Sequence, residues 1–118
     1  MTNYFLDSSA LIKRYLIEVG TPWMRSVVDP KAQNIILIAQ ITQSEVVSAV
    51  TLRNRNGTIS ARTAHAMRLL IDRHVKRQYR VVSLTEEVIR RSKDLLELHP
   101  SRAYDAVQLA SALEINSR

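Results

Sequence analysis

The sequence predicts an α/β fold built on a short parallel sheet, and three observations carry that prediction. Short apolar runs at 3–6 (NYFL), 35–38 (IILI) and 81–83 (VVS) have the length and β-branched or aromatic content of strands. The segments between them repeat apolar residues at helical spacing. No hairpin turn signal separates consecutive runs, so each strand is joined to the next through helix, which makes the neighbours parallel.

The first strand stops at Asp7, and Ser8 and Ser9 are suited to cap the helix that follows. In that helix Leu11 and Tyr15 recur on one side, as do Ile12, Leu16 and Val19, before Gly20, Thr21 and Pro22 interrupt it. A short helix over 22–28 ends near Asp29-Pro30. After the second strand a helix runs from about Thr42 to Arg55 and closes on Asn56-Gly57. A further helix spans Ser60 to about Arg77, and after the third strand Thr85, Glu86 and Glu87 open one reaching Leu98. Pro100-Ser101 opens the last, over 102–115.

The chain reads as one domain over residues 1–118, of a size that can bury a single core. Hydrophobic residues make up 46% of it, which excludes a disordered chain. The lack of cysteine excludes disulfides and thiolate metal sites and points to a reducing cytoplasm. No apolar run approaches the ~20 residues that span a bilayer, and the N-terminus lacks a signal-peptide pattern. Seventeen Lys and Arg against eleven Asp and Glu leave a net charge of +6, and the pI is near 10.2. Such a surface favours polyanions, because binding them releases condensed counterions.

Most acids lie among polar neighbours or in helix first turns; Asp7, Glu45 and Asp105 do not. Asp7 follows a strand, at the edge where parallel sheets carry their sites, although a post-strand Asp can equally cap the next helix. Around Glu45, Ala49 and Leu52 share its helix side and Val46 and Val50 continue the arc, so its carboxylate needs a cation, a donor or water. Arg53 is a candidate partner for it. Asp105 shares its side with Leu109, Ala112 and Leu113, or else simply complements the helix N-terminus. Three such acids facing inward on separate elements, without His or Cys, suit a hard divalent cation, Mg²⁺ or Mn²⁺. That ion could activate water against a phosphodiester. The expectation is that the three meet closely enough to share it, with a basic rim drawing in the substrate.

The segments YFLDSSALIKRYL, ITQSEVVSAV and RAYDAVQLASAL, in this order and spacing, resemble the three acidic motifs of PIN domains. The first takes the D-[ST]-S-A-L form common among VapC-like toxins, and the likeness runs the length of the chain. The resemblance implies a three-layer α/β/α domain and an Mg²⁺- or Mn²⁺-dependent endoribonuclease, the toxin of a toxin–antitoxin pair. Asp7, Glu45 and Asp105 would hold the metal, and Ser9 would orient a ligand or water, unless it serves only as a helix cap. RNA would be the substrate, a small antitoxin the partner and a homodimer the assembly. PIN domains normally carry a fourth acid beyond a further strand. No such strand fits between Asp105 and Arg118, and Glu114 falls on the opposite helix face from Asp105. The sheet is therefore expected to lack its C-terminal strand, leaving Tyr4, Phe5 and Leu6 at an open edge.

Between Arg53 and Arg80 the sole acid is Asp72, and Arg62, Arg73, Lys76 and Arg77 fall within about 100° of helix arc. They form either an RNA-backbone track or a solvated face. His65, His74 and His99 share no ligand spacing and are expected at the surface. Trp23 is expected to pack a helix, and Met24 and Met67 to fill core or interface. Two glycines cannot make a phosphate loop. Three other readings stay open: a PIN-fold RNA-binding or scaffold domain with an impaired site, DNA or flap cleavage, and phosphoryl transfer through Asp7. The last would want a Lys near the end of a later strand, which VVSLTEE lacks.

Overall fold

The computed structural model describes residues 2–98 and 103–116. The chain runs β1 (Asn3–Phe5), α1 (Ser8–Leu11), α2 (Thr21–Val28), β2 (Ile35–Ala39), α3 (Gln40–Arg55), α4 (Ala61–Arg77), β3 (Tyr79–Val82), α5 (Glu86–Leu98) and α6 (Ala103–Asn116). Short 3₁₀ turns follow α1 at Ile12–Arg14 and α2 at Pro30–Ala32. All strand pairing is parallel, in the order β1-β2-β3, which makes β1 an outer strand among the described residues. Pro100, Ser101 and His99 lie outside the described residues.

Register sorts the strand residues onto two faces. Tyr4 pairs with Ile36, and Ile36 with Tyr79. These residues, with Leu6, Ile38 and Val81, join a core containing Leu11, Tyr15 and Leu16, Met24 and Val27 of α2, Val46 and Val50 of α3, and Ile71 of α4. The alternate strand positions face the other way. There Ala39 and Val82 are buried, as are Val88 of α5 and Ala106 and Ala110 of α6, none of which belongs to the first cluster. Period-two alternation thus produces helix layers on both sides of the sheet, the expected three-layer α/β/α arrangement.

The first helix is shorter than its apolar spacing predicts. Leu11, Ile12, Tyr15 and Leu16 are buried, but helix gives way to the 3₁₀ turn, and Val19 is 93% exposed. The Glu18 N–H donates to the Thr21 hydroxyl at 2.9 Å, which in turn donates to the Leu16 carbonyl, while Gly20 takes φ 93°. These local bonds turn the chain where periodicity alone would continue it. The cap of α1 is Asp7 rather than Ser8 or Ser9. Strand β3 begins earlier than predicted, because Tyr79 packs on the core opposite Ile36.

His74 corrects the expectation of a surface histidine. It is buried, and its Nδ1 lies 2.8 Å from the Tyr15 hydroxyl, which lies 2.5 Å from that of Tyr79. Arg14 donates to Tyr79 and to Gln78 at 2.7 and 2.8 Å. Desolvation, then the Arg14 and Arg73 charges, lower the His74 pKa to about 4. Burial holds the Tyr15 hydroxyl above its ordinary value, with Tyr79 adding to the effect. Met24 is fully buried and Met67 packs on the core, while Trp23 remains over half exposed and meets Tyr4 edge-on at 6.2 Å.

Candidate active site

Asp7 leaves β1 at the C-terminal end of the sheet, just after the Leu6 N–H closes the ladder onto the Leu37 carbonyl. Its backbone is extended (φ −80°, ψ 175°), which lets the carboxylate turn back over the first turn of α1. There Oδ1 accepts the Ala10 N–H and the Ser9 hydroxyl, each at 2.9 Å. The capping role considered for Asp7 is therefore real. Ser9 does not cap the helix; it orients the acid that does.

Helix α3 starts at Gln40, directly after the last residue of β2, so Glu45 stands ~8 Å along the helix from that strand end. Its Oε1 accepts from Gln108 Nε2 at 3.0 Å and its Oε2 from the Ser8 hydroxyl at 3.3 Å. Arg53 turns elsewhere: it pairs with Glu18 at 3.5 Å, beside Lys13 at 3.4 Å. Asp105 lies in the first turn of α6, one turn before Gln108.

Asp7, Glu45 and Asp105 line one cleft of about 670 Å³, together with Phe5, Ser8, Ser9, Gln108 and the apolar side chains of Leu109 and Ala112. The acids do not face the interior. Asp7 and Asp105 are exposed and Glu45 is half-buried, while Leu52 and Leu109, on the same arcs, are 62% and 50% exposed. The apolar arcs run past the edge of the packed core and become the walls of an open groove, which an arc drawn on one helix cannot reveal.

Among the described residues no three His, Cys, Asp or Glu side chains form a ready chelating group. The expected three-carboxylate cage is thus not assembled. The donors still suit a hard cation: carboxylates and hydroxyls line the cleft, with no imidazole among the described residues. Mg²⁺ in particular keeps several waters and takes one or two carboxylates plus substrate phosphate, so it does not require a closed cage.

Among the described residues no Lys or Arg lines this cleft. Arg62, Arg73, Lys76 and Arg77 are all exposed on α4. Arg77 ends that helix two residues before Tyr79 opens β3, so it lies toward the opposite end of the parallel sheet from Asp7. The adjoining groove does carry a cation: Ser8, Ser9 and Glu45 continue into a wall formed by Leu16, Glu18 and Arg53. Glu114 is held by Arg91 at 3.3 Å, away from the acidic cleft.

Sequence reasoning missed Ser8, Thr42 and Gln108. Gln108 also donates to the Thr42 hydroxyl, joining α6 to α3. Spacing offered a signal: Thr42 and Gln108 each sit three residues from a singled-out acid, hence on its helix face.

An α/β domain with acidic side chains gathered at the C-terminal edge of its parallel sheet belongs to the class of metal-dependent nucleases if its family does. The PIN domain family matches residues 4–118, and the chain is a member of it. PIN domains are commonly metal-dependent nucleases. No curated protein matches the chain. Among the described residues no helix is long and apolar enough to cross a membrane.

Proposed function

We propose that this protein is a cytoplasmic Mg²⁺- or Mn²⁺-dependent endoribonuclease of the VapC toxin type. The observation that supports this reading is the convergence of Asp7, Glu45 and Asp105, from three separate elements, on one cleft. These carboxylates would hold the ion, which when bound would supply a water of lowered pKa and charge stabilisation at the phosphodiester. Ser9 fixes Asp7, and Ser8 and Gln108 fix Glu45, so the acids are oriented before substrate arrives. The open groove admits an extended strand, and Phe5 and Leu109 offer apolar surface for a base. The exposed cations of α4 contribute general affinity for RNA backbone from outside the cleft. A small antitoxin covering the acidic groove and a second copy of the chain are the partners this reading entails.

One observation favours a second reading. Because the three acids do not preassemble a chelate, a PIN-fold RNA-binding domain with impaired catalysis is the competitor. Phosphoryl transfer through Asp7 gains no support, since among the described residues no lysine lines the cleft. The deciding experiment is Mn²⁺-dependent cleavage of structured RNA, with matched DNA, by the wild-type chain and by Asp7→Asn. Cleavage of RNA alone, abolished by chelator and by the substitution, is expected. RNA binding without cleavage at any Mn²⁺ concentration would select the competitor, and cleavage by Asp7→Asn would remove Asp7 from the site.

A further inference from the structure

We infer that Gln108 is a positioning residue of the acidic cleft, holding the Glu45 carboxylate and tying the helix that carries Asp105 to the helix that carries Glu45. The inference rests on the proposed nuclease site and extends it to a side chain outside the three acidic positions.

Gln108 is only 7% exposed, yet it lines the cleft, and both protons of its amide are committed. One goes to Glu45 Oε1 at 3.0 Å and the other to the hydroxyl of Thr42, which is itself fully buried. Thr42 and Glu45 are one turn apart on α3; Asp105 and Gln108 are one turn apart on α6. The amide therefore bridges two helices at the level where each presents an acid. Its orientation is fixed by chemistry: a carboxylate only accepts, so the NH₂ group must face Glu45 and the carbonyl must face away.

That orientation has a consequence. Gln108 Oε1 is buried, with no hydrogen-bond partner among the described residues. A leucine or methionine would fill the same volume without burying a side-chain carbonyl that lacks a donor, so packing alone does not account for an amide here. Glu45 does account for it. Among the described residues its Oε2 meets only the longer bond from Ser8, and without Gln108 its Oε1 loses that donor and the side chain is free to rotate away from the cleft.

The test has two arms. In metal-free protein, the side-chain amide protons of Gln108 should exchange slowly with solvent by NMR, and Glu45→Ala should accelerate that exchange. An amide exchanging like a free side chain, or one indifferent to Glu45→Ala, overturns the inference. In the second arm, Mn²⁺ is titrated calorimetrically into wild type, Gln108→Leu and Gln108→Met, with thermal melts alongside. Both variants should bind Mn²⁺ about tenfold more weakly while still melting cooperatively, although each leaves the buried Thr42 hydroxyl without its donor; two apolar replacements guard against one that folds badly. Undiminished Mn²⁺ affinity in a folded variant overturns the inference and leaves the nuclease reading standing. If wild type itself binds no Mn²⁺, the metal-site reading falls, and the exchange arm alone decides the role of Gln108.

Discussion

The Ser9 hydroxyl donates to Asp7 Oδ1 at 2.9 Å, and the Ala10 N–H reaches the same oxygen at the same distance. One carboxylate oxygen thus ends a strand, starts a helix and is aimed by its neighbour, while the group as a whole lines the acidic cleft. The capping and site readings of Asp7, alternatives in the sequence, coexist in the structure.

They can be separated by substitution. Asparagine caps a helix as well as aspartate does, so Asp7→Asn should unfold within ~0.5 kcal/mol of wild type. It should nevertheless lose at least ~100-fold in cleavage rate, since a charged ligand contributes several kcal/mol. Asp7→Ala should show the same loss of activity plus about 1 kcal/mol of destabilisation. Urea titration and a turnover assay on both variants check this.

His74 gives the fold an acid-sensitive point. Its pKa is about 4 in the native state, against 6.5 for the free side chain, so the unfolded chain takes up a proton first as pH falls. Its contribution is complete above pH 6.5 and is lost progressively down to about pH 4, by at most about 3 kcal/mol. Carboxylates titrate in the lower part of that window, so the measurement is a difference. Urea unfolding between pH 7.5 and 4.5 should show a shallower decline for His74→Gln than for wild type; parallel curves would assign the acid sensitivity elsewhere.

The exposed cations of α4 should act on affinity rather than on chemistry. Replacing Arg73 and Arg77 with alanine should flatten the salt dependence of single-stranded RNA binding by about 1.4 in log K against log salt, if each meets one phosphate. The cleavage rate at saturating RNA should be unchanged, because neither residue lines the cleft. An unaltered slope would make this arc a solvated face.

Ile38 is fully buried at the centre of the sheet. Ile38→Ala should cost about 2–5 kcal/mol, lowering the thermal midpoint by more than any cleft substitution. A smaller loss would mean that the layers around β2 can close the space.

The sequence by itself determined the order of the described strands along the chain, their parallel sense, most helices, and which three acids stand out from their neighbours. Each of these follows from local periodicity, strand length, capping chemistry or the absence of hairpin turns, all of which act over a few residues. Only the tertiary structure decided that His74 is buried, that Arg53 turns to Glu18, and that Gln108 and Ser8 hold Glu45. It also decided that the acidic faces open on a groove instead of the core. The physical reason is that a helical arc states which residues point together, whereas what they meet depends on another element placed by the whole chain. Gln108 and Thr42 are 66 positions apart, and nothing local to either one names the other.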